Sequence, residues 1–522
     1  MKSIQLSLLS LLLCQLFIFN VSYAQGTANK VDQLVNEAIE KFNVAGIAVA
    51  IVKDGEVIHN KGYGVTSSKT KEKVNENTRF AIASNSKAFT SAALAILIDE
   101  GKLNWTDKVV DHVPEFKMYD DYVTANFTIL DLLTHRSGLG LGAGDLMFFP
   151  DGSDFTIDDL LSSFQYQKKV SDFRTKFDYD NLLYVVAGEV VARISGMSWS
   201  KFVESNIMKP IGMDGSAGTY QRLTDKRNVA MPHSTVDGQL HPLETFDMGM
   251  GAAAGGIYAS VNDLTKWMLL HLNEGQHGET TVFSKRNYRE MWTPHTNLWF
   301  NPKADPPYKT HFSAYGLGWF IRDLNGYVIY DHTGGLPGML SKTTIIPELN
   351  LGIIVLTNTD PGGGPAFSAI SNAIIDQYLE LEDFGWVDKY AARLKANLES
   401  GDEVVDKVWE TVRSANDDHL KADDFTGIYE DKWFGKVEVF LKDKQLWIKC
   451  HRSPKLNGPL SFYNANTFVV KWAYQDMNAD AFAMFTLDEK GKAQSIKMKG
   501  ISPNIDFSFD FQDLNLERVV KE

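Results

Sequence analysis

Apolar residues at Val31, Leu34, Val35, Ala38, Ile39 and Phe42 follow the three-and-four spacing of an amphipathic helix. An unbroken apolar run over 47–52, an Asp54-Gly55 turn and a second run from about Val57 then predict a β-hairpin. A second helical stripe passes through Ala88, Ala92, Ala93, Ile96 and Leu97 and stops at Gly101. From residue 84 to about 300, helical stripes alternate with glycine-rich loops. Strand-like runs return at 315–320, 327–330 and 351–356. The early and late strands are expected to share one antiparallel sheet, with the helical middle packed beside it.

The pattern changes again near Asp383. Charged residues interspersed with Val387, Tyr390, Leu394 and Leu398 predict a helical linker over 383–423. Beyond Phe425-Thr-Gly-Ile-Tyr429, short β-rich runs at 437–441, 445–449 and 468–472 are separated by polar turns. They predict a separate all-β sandwich or barrel over 424–522. The expected class is α+β: a helix-flanked antiparallel sheet with a helical subdomain over 25–382, then the linker and the β domain.

Residues 1–24 carry the marks of an export signal. Lys2 supplies a basic start, 6–19 are mostly apolar, and Ser22-Tyr23-Ala24 fits a small-x-small cleavage site. Cleavage near Ala24 would deliver a periplasmic or secreted product. Cys14 follows a bulky leucine inside the apolar run, which disfavours lipidation, and its removal would leave Cys450 as the one cysteine, with no internal disulfide. Cys450 reads as a buried strand residue. No later segment has the length and apolar character of a membrane span.

With 522 residues and 44% hydrophobic content the chain can bury a large core, and a net charge of −14 without a basic block argues against nucleic acid as partner. A small-molecule or peptide substrate fits better. Ser84-Asn85-Ser86-Lys87 places a hydroxyl and an amine three residues apart on one helical face. Serine needs a base to act as a nucleophile at neutral pH, and a lysine desolvated by burial can supply it. At the start of a helix, the Ser84 N–H can also help to stabilise an oxyanion. In Phe177-Asp178-Tyr179-Asp180-Asn181, an extended loop sends Tyr179 and Asn181 to one side of a coming helix. A phenol there can hold or deliver a proton, and a carboxamide can orient lysine and substrate. Asp331-His332-Thr333-Gly334-Gly335 offers a glycine-bearing strand that lets a ligand approach the backbone closely. Each motif has an ordinary structural explanation: a helix cap beside a solvated lysine, a half-buried tyrosine with Asn181 capping the next helix, and a β-turn with a surface histidine.

In the order SxxK, YxN, HTGG, the chain resembles the penicillin-recognising serine hydrolases, in the branch of class C β-lactamases, D-Ala-D-Ala carboxypeptidases and β-lactamase-like esterases. Leu132-Leu-Thr-His-Arg-Ser-Gly-Leu139, Gly255-Gly256 with Ser260 and Asp263, and Tyr315-Gly-Leu-Gly-Trp319 extend the resemblance over about residues 30–375. It implies Ser84 as acylated nucleophile, Lys87 as proton acceptor, Tyr179 as partner base and acid, and Asn181 as orienting residue. His332 takes the position usually filled by lysine. Gly334 and Gly335 belong to the same strand, with the N–H groups of Ser84 and Gly335 forming the oxyanion hole. The mechanism implied needs neither metal nor cofactor. For the C-terminal region the resemblance is to small β-barrels that follow this catalytic domain. Stability is the default role there, with shaping of the site entrance or pairing of subunits into an oligomer as alternatives.

Histidine is mostly neutral at pH 7, so His332 is less suited than lysine to pin a substrate carboxylate. The expectation is therefore a peptidase or esterase cleaving a D-amino-acid peptide or a related small ester or amide. A true β-lactamase and a binding or sensor module that acylates without turnover are the alternatives. Arg136 replaces the commoner threonine of its segment and is expected in a structural ion pair. The 297–312 stretch, with Trp299 and Phe300, is read either as an apolar rim or as a surface loop. The chain lacks Gly-x-Ser-x-Gly, His-Glu-x-x-His and Ser-Asp-Asn motifs, and His271 and His277 read as loop-lining residues.

Overall fold

The computed structural model describes residues 29–236, 238–301, 307–416 and 420–519. The export segment with Cys14, and residues 302–306 of the 297–312 stretch, lie outside them.

An eight-stranded antiparallel sheet runs in the order Glu56–Gly64, Gly46–Lys53, Leu351–Thr357, Met339–Ile346, Tyr327–Leu336, Phe320–Leu324, Ser313–Tyr315, Thr296–Asn297. The early hairpin joins the late strands through the pairing of Ala48 with Leu356 and Ala50 with Ile354. Early and late strands thus share one sheet, as the hydrophobic pattern predicts. Gly46–Lys53 reads as a continuous apolar run because both of its faces are covered. Ile47, Val49 and Ile51 pack under the 29–42 helix and Gly363–Tyr378. Ala48, Ala50 and Val52 face the helical middle, which includes Ser86–Asp99 and Val261–Leu272.

The residues around 315–320 depart from the strand expected there. Tyr315 and Phe320 are directly paired, so the segment between them is the turn of a hairpin. A strand over Met339–Ile346 was not expected, because Ser341, Lys342, Thr343 and Thr344 interrupt its apolar pattern. All four are nonetheless buried.

Helix Trp386–Ser414 leads towards the barrel. Eight strands from Gly427 to Arg518 close that barrel, filled by Val437, Ile448, Phe468 and Phe485 among others. Cys450 sits buried on one of its strands with a free thiol. Among the described residues no single helix is long and apolar enough to cross a membrane.

Candidate active site

Ser84 lies in a single 3-10 turn, Ala83–Asn85, that runs straight into helix Ser86–Asp99. Ala83 takes a left-handed φ of +48°, an uncommon state for a residue with a side chain and one that surrounding structure must hold in place. The polar interruption at 341–344 explains how. The Ser341 hydroxyl donates to the Ile82 carbonyl at 2.7 Å, Asn85 Nδ2 donates to Ser341 Oγ at 2.8 Å, and Thr343 Oγ1 donates to Asn85 Oδ1 at 2.6 Å. The Ser84 turn is thus bolted to the sheet. Gly334 lies against the same turn: a Cβ there would sit 2.1 Å from the Ile82 carbonyl oxygen, so only glycine fits.

Lys87 is fully buried, and its Nζ has three neighbours: Ser84 Oγ at 3.0 Å, Asn181 Oδ1 at 2.6 Å and the Ala254 carbonyl at 2.9 Å. The last two can only accept. A neutral amine therefore gives its two hydrogens to them and turns its lone pair to the Ser84 hydroxyl. Burial pushes the Lys87 amine down to about 7, against the opposing pull of Asp145 and Asp180. The arrangement can hold a free base beside a hydroxyl at neutral pH.

Asp180, not Asn181, caps helix Asn181–Ser195 by accepting from Leu183 N–H. That leaves Asn181 at the first helical position, free to bridge. Its Nδ2 donates to Asp145 Oδ2 at 2.8 Å, which fixes the amide so that Oδ1 faces Lys87. The Tyr179 ring lies 4.8 Å from Lys87 Nζ, and Ser84 lies close enough to its hydroxyl to favour the ionised form. Burial holds that phenol well above its ordinary range, and the Ser84 contact only partly offsets this. Tyr179 therefore keeps its proton at neutral pH.

His332 lies on strand Tyr327–Leu336, so its motif is part of the sheet and not a surface turn. Its Nδ1 meets the Thr333 carbonyl at 2.6 Å, which makes Nδ1 the donor and leaves Nε2 to accept from the Tyr315 hydroxyl at 3.0 Å. Burial, reinforced by the charge of Lys87, pushes the imidazole down to about 3. His332 is thus a neutral ring with both nitrogens engaged. Arg136 is drawn away from the site: its Nε meets the buried Asp131 at 3.2 Å and its Nη1 donates to the His295 carbonyl.

Ser84, Tyr179, Asn181, His332 and Gly335 line one cavity of about 300 Å³, walled by Phe148, Phe149, Met248 and Phe507. Lys87 stands behind it, and Gly334 underpins its strand. Neither Arg136 nor any described residue of 297–312 lines the cavity, and Trp299 is exposed.

Several residues of the site carried no assigned role in the sequence reading. His135 accepts from the Asp180 N–H through Nδ1 and packs its ring 4.2 Å from that of Tyr179. It and Tyr315 lie in family landmarks, which is the signal that marks them. Asp145 and the cavity residues Asp506, Phe507 and Ser508 carry no local signal.

The β-lactamase family model matches residues 31–375, about two thirds of the molecule. The chain belongs to the β-lactamase family. Its C-terminal part, residues 413–518, matches a domain of unknown function, DUF3471. Among curated members of this hydrolase family, an unguisins hydrolase of Aspergillus campestris is 27% identical over 386 residues, 70% of this chain and 69% of its own length. Protein flp of Staphylococcus aureus is 27% identical over 345 residues, 63% of this chain and 62% of flp. Solved structures share the fold. The octameric penicillin-binding protein homologue of Pyrococcus abyssi superposes with a TM-score of 0.58 at 21% identity, over 94% of this chain and 99% of that one. EstCE1, a hydrolase with promiscuous acyltransferase activity, gives 0.56 at 19% identity, over 67% and 99%.

Proposed function

We propose that the protein is an exported serine hydrolase that cleaves an amide or ester bond in a small or peptide substrate, D-amino-acid compounds included, through an acyl-enzyme on Ser84. The observation that carries this reading is the placement of Lys87 Nζ, 3.0 Å from Ser84 Oγ with its other two neighbours acceptors only. Lys87 takes the Ser84 proton as Oγ attacks the substrate carbonyl carbon. The N–H groups of Ser84 and Gly335 receive the oxyanion. Collapse of the tetrahedral intermediate breaks the bond to the leaving group, which takes a proton from Tyr179 as Lys87 passes the proton it gained to the Tyr179 oxygen, so that the acyl-enzyme is left with a neutral phenol and a neutral amine. Water then attacks the acyl carbonyl, with the same groups handling its proton, and frees Ser84.

The neutral His332 favours an esterase or amidase over a β-lactamase, since it offers no fixed cation to a β-lactam carboxylate. The apolar and aromatic wall of the cavity suits an uncharged acyl group.

An alkyl fluorophosphonate followed by intact-mass spectrometry tests the assignment. One adduct is expected on Ser84, none on Ser84→Ala, and turnover of 4-nitrophenyl acetate should fall by about 10⁴-fold or more in that variant. Near-normal turnover in Ser84→Ala would sink the reading. An adduct that persists with no product release would favour a sensor, and a cephalosporin hydrolysed as fast as the best ester would favour a β-lactamase.

A further inference from the structure

The barrel reaches into the cavity. Between strand Ala493–Gly500 and the turn Phe511–Asp513, the 501–510 loop leaves the barrel, and Asp506, Phe507 and Ser508 join the cavity lining. The Ser508 hydroxyl donates to Asp145 Oδ2 at 2.9 Å, the same oxygen that receives Asn181 Nδ2. A relay of contacts therefore runs Ser508, Asp145, Asn181, Lys87, Ser84. Two residues on, Asp510 accepts the N–H groups on either side of Asp145, Gly144 at 2.7 Å and Leu146 at 3.0 Å. Phe507 sets its ring edge-on to Tyr179 at 5.9 Å, and a Cβ on Gly142 would strike the Phe507 ring at 2.8 Å.

This loop does more than fill space. Ser508 and Asp510 are buried; burial raises the carboxyls of both Asp510 and Asp145, and the charge of Asp145 raises Asp510 further, as that of Asp180 does Asp145. Packing alone would favour apolar side chains here, because burying two carboxylates side by side opposes folding. The polar groups converge instead on the one carboxylate that sets the Asn181 amide.

We propose that Ser508 is a positioning residue of the catalytic centre: through Asp145 and Asn181 it aligns Lys87 on Ser84, which makes the barrel loop a built part of the site. The proposal rests on the reading of Ser84 and Lys87 as nucleophile and base. The ionisable groups facing the relay are Asp180, Tyr179, Tyr184, His135 and His332 around Lys87, Asp510 beside Asp145, and Asp506, which accepts the Ser508 N–H at 2.8 Å.

Removing the Ser508 hydroxyl withdraws a donor from Asp145, whose carboxyl then neutralises more readily. Lys87 loses compensating negative charge and its ammonium becomes less favourable. In full-length Ser508→Ala, kcat for 4-nitrophenyl acetate should fall about tenfold with KM within about twofold, and the acid limb should move to lower pH. Ser508→Thr, which keeps the hydroxyl, should recover most of the loss. Wild-type kcat and acid limb in Ser508→Ala would overturn the proposal, as would equal losses in the Ala and Thr variants. NMR of ¹³C-lysine protein, with Lys87 assigned from Lys87→Arg, reads the same coupling without turnover. A lower Lys87 midpoint in Ser508→Ala supports the relay, and an unchanged midpoint overturns it. If Ser84→Ala kept wild-type turnover, the nucleophile assignment would fail, while the Lys87 titration would still decide the role of Ser508.

Discussion

At the residue scale, the proposed chemistry turns on whether Lys87 holds a proton. With its amine pushed down to about 7 by burial, the free base predominates above that pH and the ammonium below it. Only the free base can accept from Ser84. Ester turnover should therefore drop as pH falls through about 7, and a kcat/KM profile in overlapping buffers will locate the limb. Lys87→Arg keeps the charge at every accessible pH and should lose at least about 10³-fold in kcat. His332 makes a second prediction. A neutral ring engaged by Thr333 and Tyr315 gives no help to a carboxylate, so a neutral acyl ester should outrun its carboxylate-bearing analogue by about tenfold or more in kcat/KM. His332→Lys should narrow that ratio, and an unchanged ratio would show that the position does not read substrate charge. The motifs for Ser84, Lys87, Tyr179, Asn181 and His332 were legible because each pairs unusual chemistry with short spacing. Asp145 was not, since an aspartate in a glycine-rich loop is ordinary until Asn181 is seen to donate to it.

Among the elements, the turn after Thr128 shows where the ion pair expected of Arg136 forms. Thr128 and Asp131 form a reciprocal capping box on the short helix Ile129–Leu133. The fully buried Asp131 carboxylate also receives Arg136 at 3.2 Å and Arg174 at 2.5 Å. Arg136 thus holds the landmark segment whose His135 packs on Tyr179. Asp131→Asn leaves two guanidinium groups short of their anion and should cost about 3 kcal/mol, read by denaturant unfolding. Arg174 and the Thr128 donors hold the Asp131 carboxyl below its ordinary value, although burial opposes them. Its contribution is present at neutral pH and fades as pH falls through the depressed titration. The gap between wild type and Asp131→Asn should therefore close in acid, and a gap that widened would contradict the assignment. Elements with clean periodicity were legible, such as the 29–42 helix and Gly46–Lys53. Strand Met339–Ile346 was not, because Ser341 and Thr343 give up hydrophobic character to anchor the Ser84 turn.

For the whole molecule, strand spacing foretold an all-β C-terminal region but not how it docks. Phe149 packs on Phe509 at 5.0 Å and Phe155 on Phe434 at 5.8 Å, contacts between residues hundreds of positions apart that look like any core phenylalanine in sequence. Arg452 of the barrel stacks over Phe155 and pairs with Asp154 and Asp159, and Lys455 pairs with Asp151. One buried apolar cluster consequently runs from the helical middle into the barrel without a break. A shared core makes independent unfolding costly, because either part leaving alone would expose the aromatic seam to water. Calorimetry of the protein should show one cooperative transition, coincident with the loss of the near-ultraviolet tryptophan signal and of ester turnover. Arg452→Ala, which removes the stacked cation and two ion pairs at once, should destabilise the protein by about 1–2 kcal/mol and lower that transition by about 1–2 °C, while keeping it single. Two separated transitions in the wild type, with turnover lost only in the second, would mean that the catalytic centre stands without the barrel.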